Sequence, residues 1–314
     1  MRKPNFFIVG APRCCTGSLW TYLKGHPEIF MPAEKELYFF DSDLWGRSEW
    51  SPTLEEYLSH FSEANGQKKI GEATPSYLRS PRAAREIKTF SPGAQIIIML
   101  RNPLDVMHSL HSAALGGTEP IIDFAAALAA DERQNGRDRI GYREFTDFPE
   151  QVQRYCDLFG RENVHTIIYD DLMANSAAAC QGVLRFLGVC PEYAADFPRI
   201  HSNKQIRNAR FQTLLMRPPS PLRLMGRSLL PPRWRSGIRR ALLRSNRVVR
   251  PRPPMDETLQ RRLKAEIKPK IERLSGMLGR DLSAWCNVWP SQSENRGGTQ
   301  TSAGARREMR GVKD

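Results

Sequence analysis

Residues 6–23 read FFIVGAPRCCTGSLWTYL, and the fold turns on how that stretch is parsed. Phe6, Phe7, Ile8 and Val9 form an unbroken apolar run stopped by Gly10, the pattern of a strand buried on both faces of a parallel sheet. Leu19, Tyr22 and Leu23 then recur at helical spacing, so the loop over residues 10–17 joins a strand end to a helix start. Unpaired backbone N–H groups and the positive end of the helix dipole converge there, a setting that favours a phosphate. The loop is not GxxxxGK[ST]: counted from Gly10, that motif needs glycine where Cys15 stands and lysine where Thr16 stands. An ordinary Mg-dependent NTPase is therefore disfavoured. What remains is a cradle with one fixed cation, Arg13, and two hydroxyls, Thr16 and Ser18. The competing reading is a plain strand-turn-helix whose polar residues only cap.

Outward from this unit, three more strands are predicted: within KKIGEATPSYL at 68–78, QIIIML at 95–100 and NVHTIIY at 163–169. Helices are predicted over 80–90, 121–134, 149–159, 177–187 and 256–285, the last interrupted by Pro269, with an N-capped helix in SPTLEEYLSHF at 51–61 in which Pro52 takes an early position. Strands alternating with helices make an α/β parallel-sheet fold the economical answer. QIIIML ends in RNPLDVMHSL, and an arginine closing a strand before a helix lies at the sheet edge where ligands bind. Ser109 follows Arg101 by eight positions, about two helical turns. In AEKELYFFDSD, at 33–43, Glu36 sits beside Lys35 and ahead of two phenylalanines. A carboxylate against an apolar wall can act as a proton acceptor; an exposed charged turn before a core Phe pair is the other reading. Asp170 and Asp171 are expected to cap the helix that follows them.

The length of 314 residues suits one α/β domain over 1–290 with a polar tail at 291–314 expected to be disordered. No apolar run is long enough to span a membrane and the first strand leaves no room for a leader, so a cytoplasmic location is expected. The cysteines at 14, 15, 156, 180, 190 and 286 lack CxxC spacing, which predicts reduced thiols and no structural zinc. Cys14 and Cys15 lie beside Arg13 at a helix start, a setting that lowers a thiol pKa; spacer residues are the alternative. The net charge is +13, and residues 206–252 hold 13 arginines with no lysine, Asp or Glu, so one Arg/Pro-rich excursion (206–255) carries the whole excess. Its Leu, Met and Trp alternate with arginine, which leaves open a rim for an anionic acceptor, peripheral contact with an anionic membrane, or a solvated face. No nucleic-acid reader module is recognisable, so no specific nucleic acid is expected.

GAPRCCTGSL resembles the 5′-phosphosulfate loop, GxP[KR]xGTTxL, of the sulfotransferases that use 3′-phosphoadenosine 5′-phosphosulfate (PAPS), with Cys15 at the family's glycine and Gly17 where threonine is frequent. RNP followed by the Arg-x7-Ser spacing resembles their 3′-phosphate site. ELYFFD is similar to EVHFFD of the heparan sulfate 3-O-sulfotransferases and to the acid-x-x-Phe-Phe element of the N-sulfotransferases. The segment 68–78 is similar to their VEKTPAYF, with Ala73 in place of lysine, and 268–285 is similar to the closing helix of bacterial sulfotransferase domains. The resemblance implies a P-loop-like three-layer sandwich, a central parallel sheet flanked by helices, and a PAPS-dependent enzyme that needs no metal. It implies that Arg13, Cys14, Cys15, Thr16, Gly17 and Ser18 hold the 5′-phosphosulfate, and that Arg101 and Ser109 hold the 3′-phosphate. Lys204 and Arg207 fall in a loop that closes over the nucleotide. Glu36 becomes the general base toward an acceptor hydroxyl of a glycan, small metabolite or lipid, bordered by Lys35, Tyr38 (at a histidine position), Asp41 and Thr74. Lys35 or Arg79 would stand in for the missing lysine. A nucleotide kinase or NTPase, and a non-catalytic basic module that binds polyanions, remain as alternatives.

Overall fold

The computed structural model describes residues 2–45, 52–115, 118–133, 139–193, 204–206, 242, 245–249 and 255–287. The opening apolar run forms β1 (Phe6–Gly10), buried along its whole length. β2 (Ile29–Phe30), β3 (Lys69–Ala73), β4 (Gln95–Leu100) and β5 (Val164–Ile168) join it in one sheet of order β2-β3-β1-β4-β5. Every pairing in that sheet is parallel. β4 keeps the bounds predicted for it, and Ile96 to Leu100 have no exposed surface, because a central parallel strand has helices over both faces.

From β1 the chain turns to one side for β2 and β3; after β4 it proceeds to the other side for β5. Right-handed crossovers then place the intervening helices on opposite faces. α1 (Thr16–Lys24) follows β1, whereas α2 (Ser42–Trp45), α3 (Leu54–Ser59), α4 (Pro81–Phe90), α5 (Pro103–Ala114), α6 (Phe124–Arg133) and α7 (Phe148–Phe159) accompany the return crossovers. α4 packs on α7, and the buried Tyr155 of α7 donates its hydroxyl to the Tyr77 carbonyl at 2.9 Å. After β5 come α8 (Tyr169–Ala174) and α9 (Ser176–Leu187). The result is the P-loop-like α/β sandwich.

Details differ from the sequence reading for local reasons. α3 is capped by Thr53, whose side chain and that of Glu56 form a reciprocal capping box, so Pro52 stands outside the helix. Asp170 and Asp171 do not cap: Asp170 accepts the Trp285 indole N–H at 2.6 Å and Asp171 pairs with Arg280 at 2.5 Å. The final helix, α10 (Glu257–Leu278), runs through Pro269 and stops at Gly279, whose φ of 61° supplies a left-handed C-cap. A separate 3-10 turn, Ser283–Cys286, replaces the predicted helical continuation. β6 (Lys204–Ile206) and β7 (Arg247–Val249) pair antiparallel; Arg207, most of the 206–252 excursion and the 291–314 tail lie outside the described residues. No helix among the described residues is long and apolar enough to cross a membrane.

Gly71 shows how tightly the sheet is covered: a Cβ there would lie 2.1 Å from the Phe6 ring and 2.4 Å from the Met31 sulfur. Gly71→Ala is expected to cost about 1–3 kcal/mol of stability through overpacking, read as a lower midpoint in urea unfolding with an unchanged m-value.

Candidate functional site

The strand order reverses direction between β1 and β4, and the crevice beyond the carboxyl ends of such strands is where open α/β sheets bind ligands. Gly10 pairs with Ile98, Ala11 N–H bonds the Met99 carbonyl at 2.7 Å, and Leu100 pairs with Ile168. The loop after β1 and the arginine after β4 therefore leave the sheet side by side.

The loop reaches α1 through two residues in the left-handed region, Arg13 with φ 67° and Cys15 with φ 68°. The family glycine thus corresponds to a position whose backbone does favour glycine. Cys15 is the N-cap of α1 and no side chain caps this helix start, so the first N–H groups, on the buried Thr16, Gly17 and Ser18, are the natural donors to an anion. The loop does not lower the thiol pKa values as its setting suggests: burial pushes Cys14 and Cys15 up, despite the nearby arginines. Cys14 is fully buried, its sulfur 3.5 Å from the Pro12 carbonyl, and can offer a ligand only its backbone.

Arg13 Nε donates to Ser109 Oγ at 2.8 Å, which ties the loop to α5 and brings together two residues 96 positions apart. The Arg13 pKa is lowered by burial and then by the charge of Arg101. Arg101 is itself braced: Nε and Nη2 reach Asp105 Oδ2 at 3.2 and 2.9 Å, and the guanidinium lies 4.3 Å from the Tyr169 ring centroid. Burial works against its charge, but Asp105 and Tyr169 outweigh it and leave the pKa raised. Asp105 and Tyr169 were not singled out from sequence. The i,i+4 Arg-Asp spacing is a sequence signal for Asp105, whereas Tyr169 meets Arg101 only because β5 lies beside β4.

Glu36 lies within the electrostatic reach of Arg13, where its charge slightly opposes the lowering of the Arg13 pKa by burial and Arg101. Glu36 N–H bonds the Ala73 carbonyl at 2.8 Å, beside the end of β3. Behind it, Phe39 stacks on Tyr57 at 4.4 Å, Phe40 meets Phe7 and Tyr77 edge-on, and Phe39 N–H donates to the Tyr77 hydroxyl at 3.0 Å. These anchors hold Glu36 (φ 64°) and Tyr38 (φ 50°) in the left-handed region. Lys35 forms an ion pair with Glu36 Oε1, and Tyr38 donates its hydroxyl to Oε2 at 2.6 Å. Burial and then that bond raise the Tyr38 pKa, so it is a phenol donor at neutral pH.

The remaining expectations divide. Lys35 and Tyr38 join Glu36 at the surface, with Lys35 about a third exposed and Tyr38 43% exposed. Asp41 and Thr74 do not border an opening: both have no exposed surface, Asp41 accepting the Ser76 hydroxyl and Thr74 donating to Glu72 at 2.5 Å. Each is a short polar side chain under the aromatic cluster and finds its partner inward. Arg79 is committed elsewhere, donating to the Ile140 carbonyl at 3.0 Å over the Phe145 ring. Lys35, not Arg79, therefore reaches Glu36. The Lys204 side chain, like Arg207, lies outside the described residues. Among the described residues no three His, Cys, Asp or Glu side chains gather as metal ligands.

Comparison with known proteins gives the same neighbourhood. Residues 53–192 match the family model described as "Sulfotransferase family". The chain is 35% identical over 105 residues to the membrane-associated sulfotransferase kil1 of Dictyostelium discoideum, covering 32% of this chain and 21% of that one. It is 31% identical over 130 residues to the human heparan sulfate glucosamine 3-O-sulfotransferase 6, covering 40% and 34%. A sulfotransferase from Alicyclobacillus acidocaldarius superposes with a TM-score of 0.70 at 26% identity, over 91% of this chain and 100% of that one. The chain thus spans between about a fifth and a third of the length of these two curated relatives.

The buried carboxyl of Glu72, behind the Glu36 loop, has its pKa lifted to about 8 by burial, with the Thr74 hydroxyl pulling the other way. An unfolded glutamate ionises near ~4.3, so between there and about 8 the folded chain keeps a proton that the unfolded chain has lost. Stability from this group is complete below that window and falls as pH rises through it, by up to about 1.4 kcal/mol per pH unit. Glu72→Gln is expected to flatten that slope, measured by urea unfolding at a series of pH values from 5 to 8, as a ~3-unit range.

Proposed function

The chain resembles the sulfotransferase family in sequence over residues 53–192 and in fold over nearly its whole length, and from that premise we propose that it moves a sulfuryl group from PAPS to an acceptor hydroxyl. The observation that carries this reading is the convergence of Arg13, Ser109 and Arg101 at the reversal of strand order, with Glu36 near enough for Arg13 to feel its charge. Two half-buried guanidinium groups facing the same crevice suit a ligand with two phosphate groups, and the uncapped start of α1 suits one of them.

In this reading the α1 N–H groups and Arg13 hold the 5′ end of the donor and stabilise charge growing on the leaving phosphate. Arg101 and Ser109 hold the 3′-phosphate and so exclude nucleotides that lack it. Glu36 takes the acceptor's proton as its oxygen bonds to sulfur. Lys35 and the Tyr38 hydroxyl orient the carboxylate through its two oxygens. The net positive charge of the arginine-rich excursion suits an anionic acceptor or membrane surface. A sugar hydroxyl is the acceptor class favoured, supported by the likeness to a heparan sulfate glucosamine 3-O-sulfotransferase.

Calorimetry with 3′-phosphoadenosine 5′-phosphate tests the reading directly: absence of binding at high micromolar concentration rules it out. Glu36→Gln is expected to bind this nucleotide as the parent does while losing transfer by about 10²–10⁴-fold, followed by mass spectrometry of sulfated product. Unchanged turnover removes Glu36 as the base. Arg101→Ala is expected to weaken the same nucleotide by about 2–3 kcal/mol with little effect on adenosine 5′-monophosphate, compared by titration of both.

A further inference from the structure

The chain neighbours of Arg101 and Tyr169, namely Asn102 and Asp170, are both held by the turn that follows α10. Trp285, 4% exposed in the 3-10 turn after α10, donates its indole N–H to Asp170 Oδ2 at 2.6 Å. Its carbonyl accepts the Asn102 side-chain amide at 3.2 Å, while the other end of that amide caps α5 by accepting Leu104 N–H at 3.0 Å. Asn102 follows Arg101 directly, and Asp170 follows Tyr169, whose ring lies under the Arg101 guanidinium. One residue therefore grips the neighbours of both members of the Arg101–Tyr169 pair. The grip is anchored on α10 through Leu282 N–H to Ser275 Oγ at 3.2 Å, and on α8 through Arg280 to Asp171 at 2.5 Å.

We propose that Trp285 is a positioning residue for the 3′-phosphate arm of the site: by fixing Asn102 and Asp170 it keeps Arg101 stacked on Tyr169 and aimed at the crevice. This rests on reading Arg101 as the group that takes the 3′-phosphate. A flexible arginine loses conformational freedom on binding, and one already immobilised loses less, so preorganisation appears as affinity for the group it contacts. A tryptophan that merely fills space affects every nucleotide alike, whereas a latch on Arg101 affects only ligands carrying the 3′-phosphate.

The test measures dissociation constants of the full chain for 3′-phosphoadenosine 5′-phosphate and for adenosine 5′-monophosphate, with thermal unfolding as a folding control. Trp285→Phe keeps a ring and removes the N–H; Asp170→Ala removes the acceptor; Asp170→Asn keeps an acceptor oxygen. The first two are expected to weaken the 3′-phosphorylated nucleotide by about 3–10-fold, the effect of one hydrogen bond, and to leave the monophosphate unchanged. Asp170→Asn is expected to retain the parent's preference. If Trp285→Phe does not fold, the Asp170 pair carries the comparison. Equal weakening of both nucleotides, or no weakening, overturns the latch. Arg101→Ala separates the two levels: if it abolishes the preference for the 3′-phosphate while the Trp285 and Asp170 variants keep it, the latch alone fails. If Arg101→Ala keeps the preference, the assignment of Arg101 fails and the latch with it.

Discussion

Two half-buried guanidinium groups sit at one end of a parallel sheet, each inside the other's field. Burial and the charge of Arg101 both depress the Arg13 pKa, yet nothing frees either side chain to leave: Ser109 holds one, and Asp105 with the Tyr169 ring holds the other. Like charges in a low-dielectric setting repel strongly; Asp105 and Tyr169 compensate at Arg101, whose pKa is raised, whereas the Arg13 pKa stays lowered. The sheet topology sets the pair side by side, because the strand order reverses between the two strands that carry the arginines.

Backbone strain is gathered in the same place. All four non-glycine residues with positive φ among the described residues, Arg13, Cys15, Glu36 and Tyr38, lie in the two loops that face one another here. Each left-handed residue costs about 1–2 kcal/mol, and such residues persist when their surroundings overdetermine them. The surroundings are identifiable: β1 and β4 on one side, and on the other the aromatic cluster of Phe39, Phe40, Tyr57 and Tyr77. The cost is met by a core that has no exposed surface at Phe7, Tyr57 or Tyr77.

Sequence alone carried the architecture far, because β1 and β4 are continuous apolar runs and each ends at a residue type, Gly10 or Arg101, that marks a strand end. The pairing of Arg13 with Ser109 was foreshadowed only as a shared ligand, since a hydroxyl and a guanidinium distant in sequence give no local sign of direct contact. Side-chain direction was the least legible property. Asp41 and Thr74 sit in the right motifs yet point inward, because Ser76 and Glu72 complete their hydrogen bonds beneath the aromatic layer. Asp170 and Asp171 look like caps in sequence, and become cross-chain tethers only because α10 delivers Trp285 and Arg280 to them.

The position of β1 in the sheet has a consequence for synthesis. The strand is central, yet its two neighbours, β3 and β4, come about sixty and ninety residues later, so FFIVG leaves the ribosome with both hydrogen-bonding edges open and no partner yet made. An apolar segment with unpaired edges is a template for association with other chains. Pairing along the second edge of FFIVG must therefore wait until QIIIML has been translated, so the strand is completed long after its own synthesis.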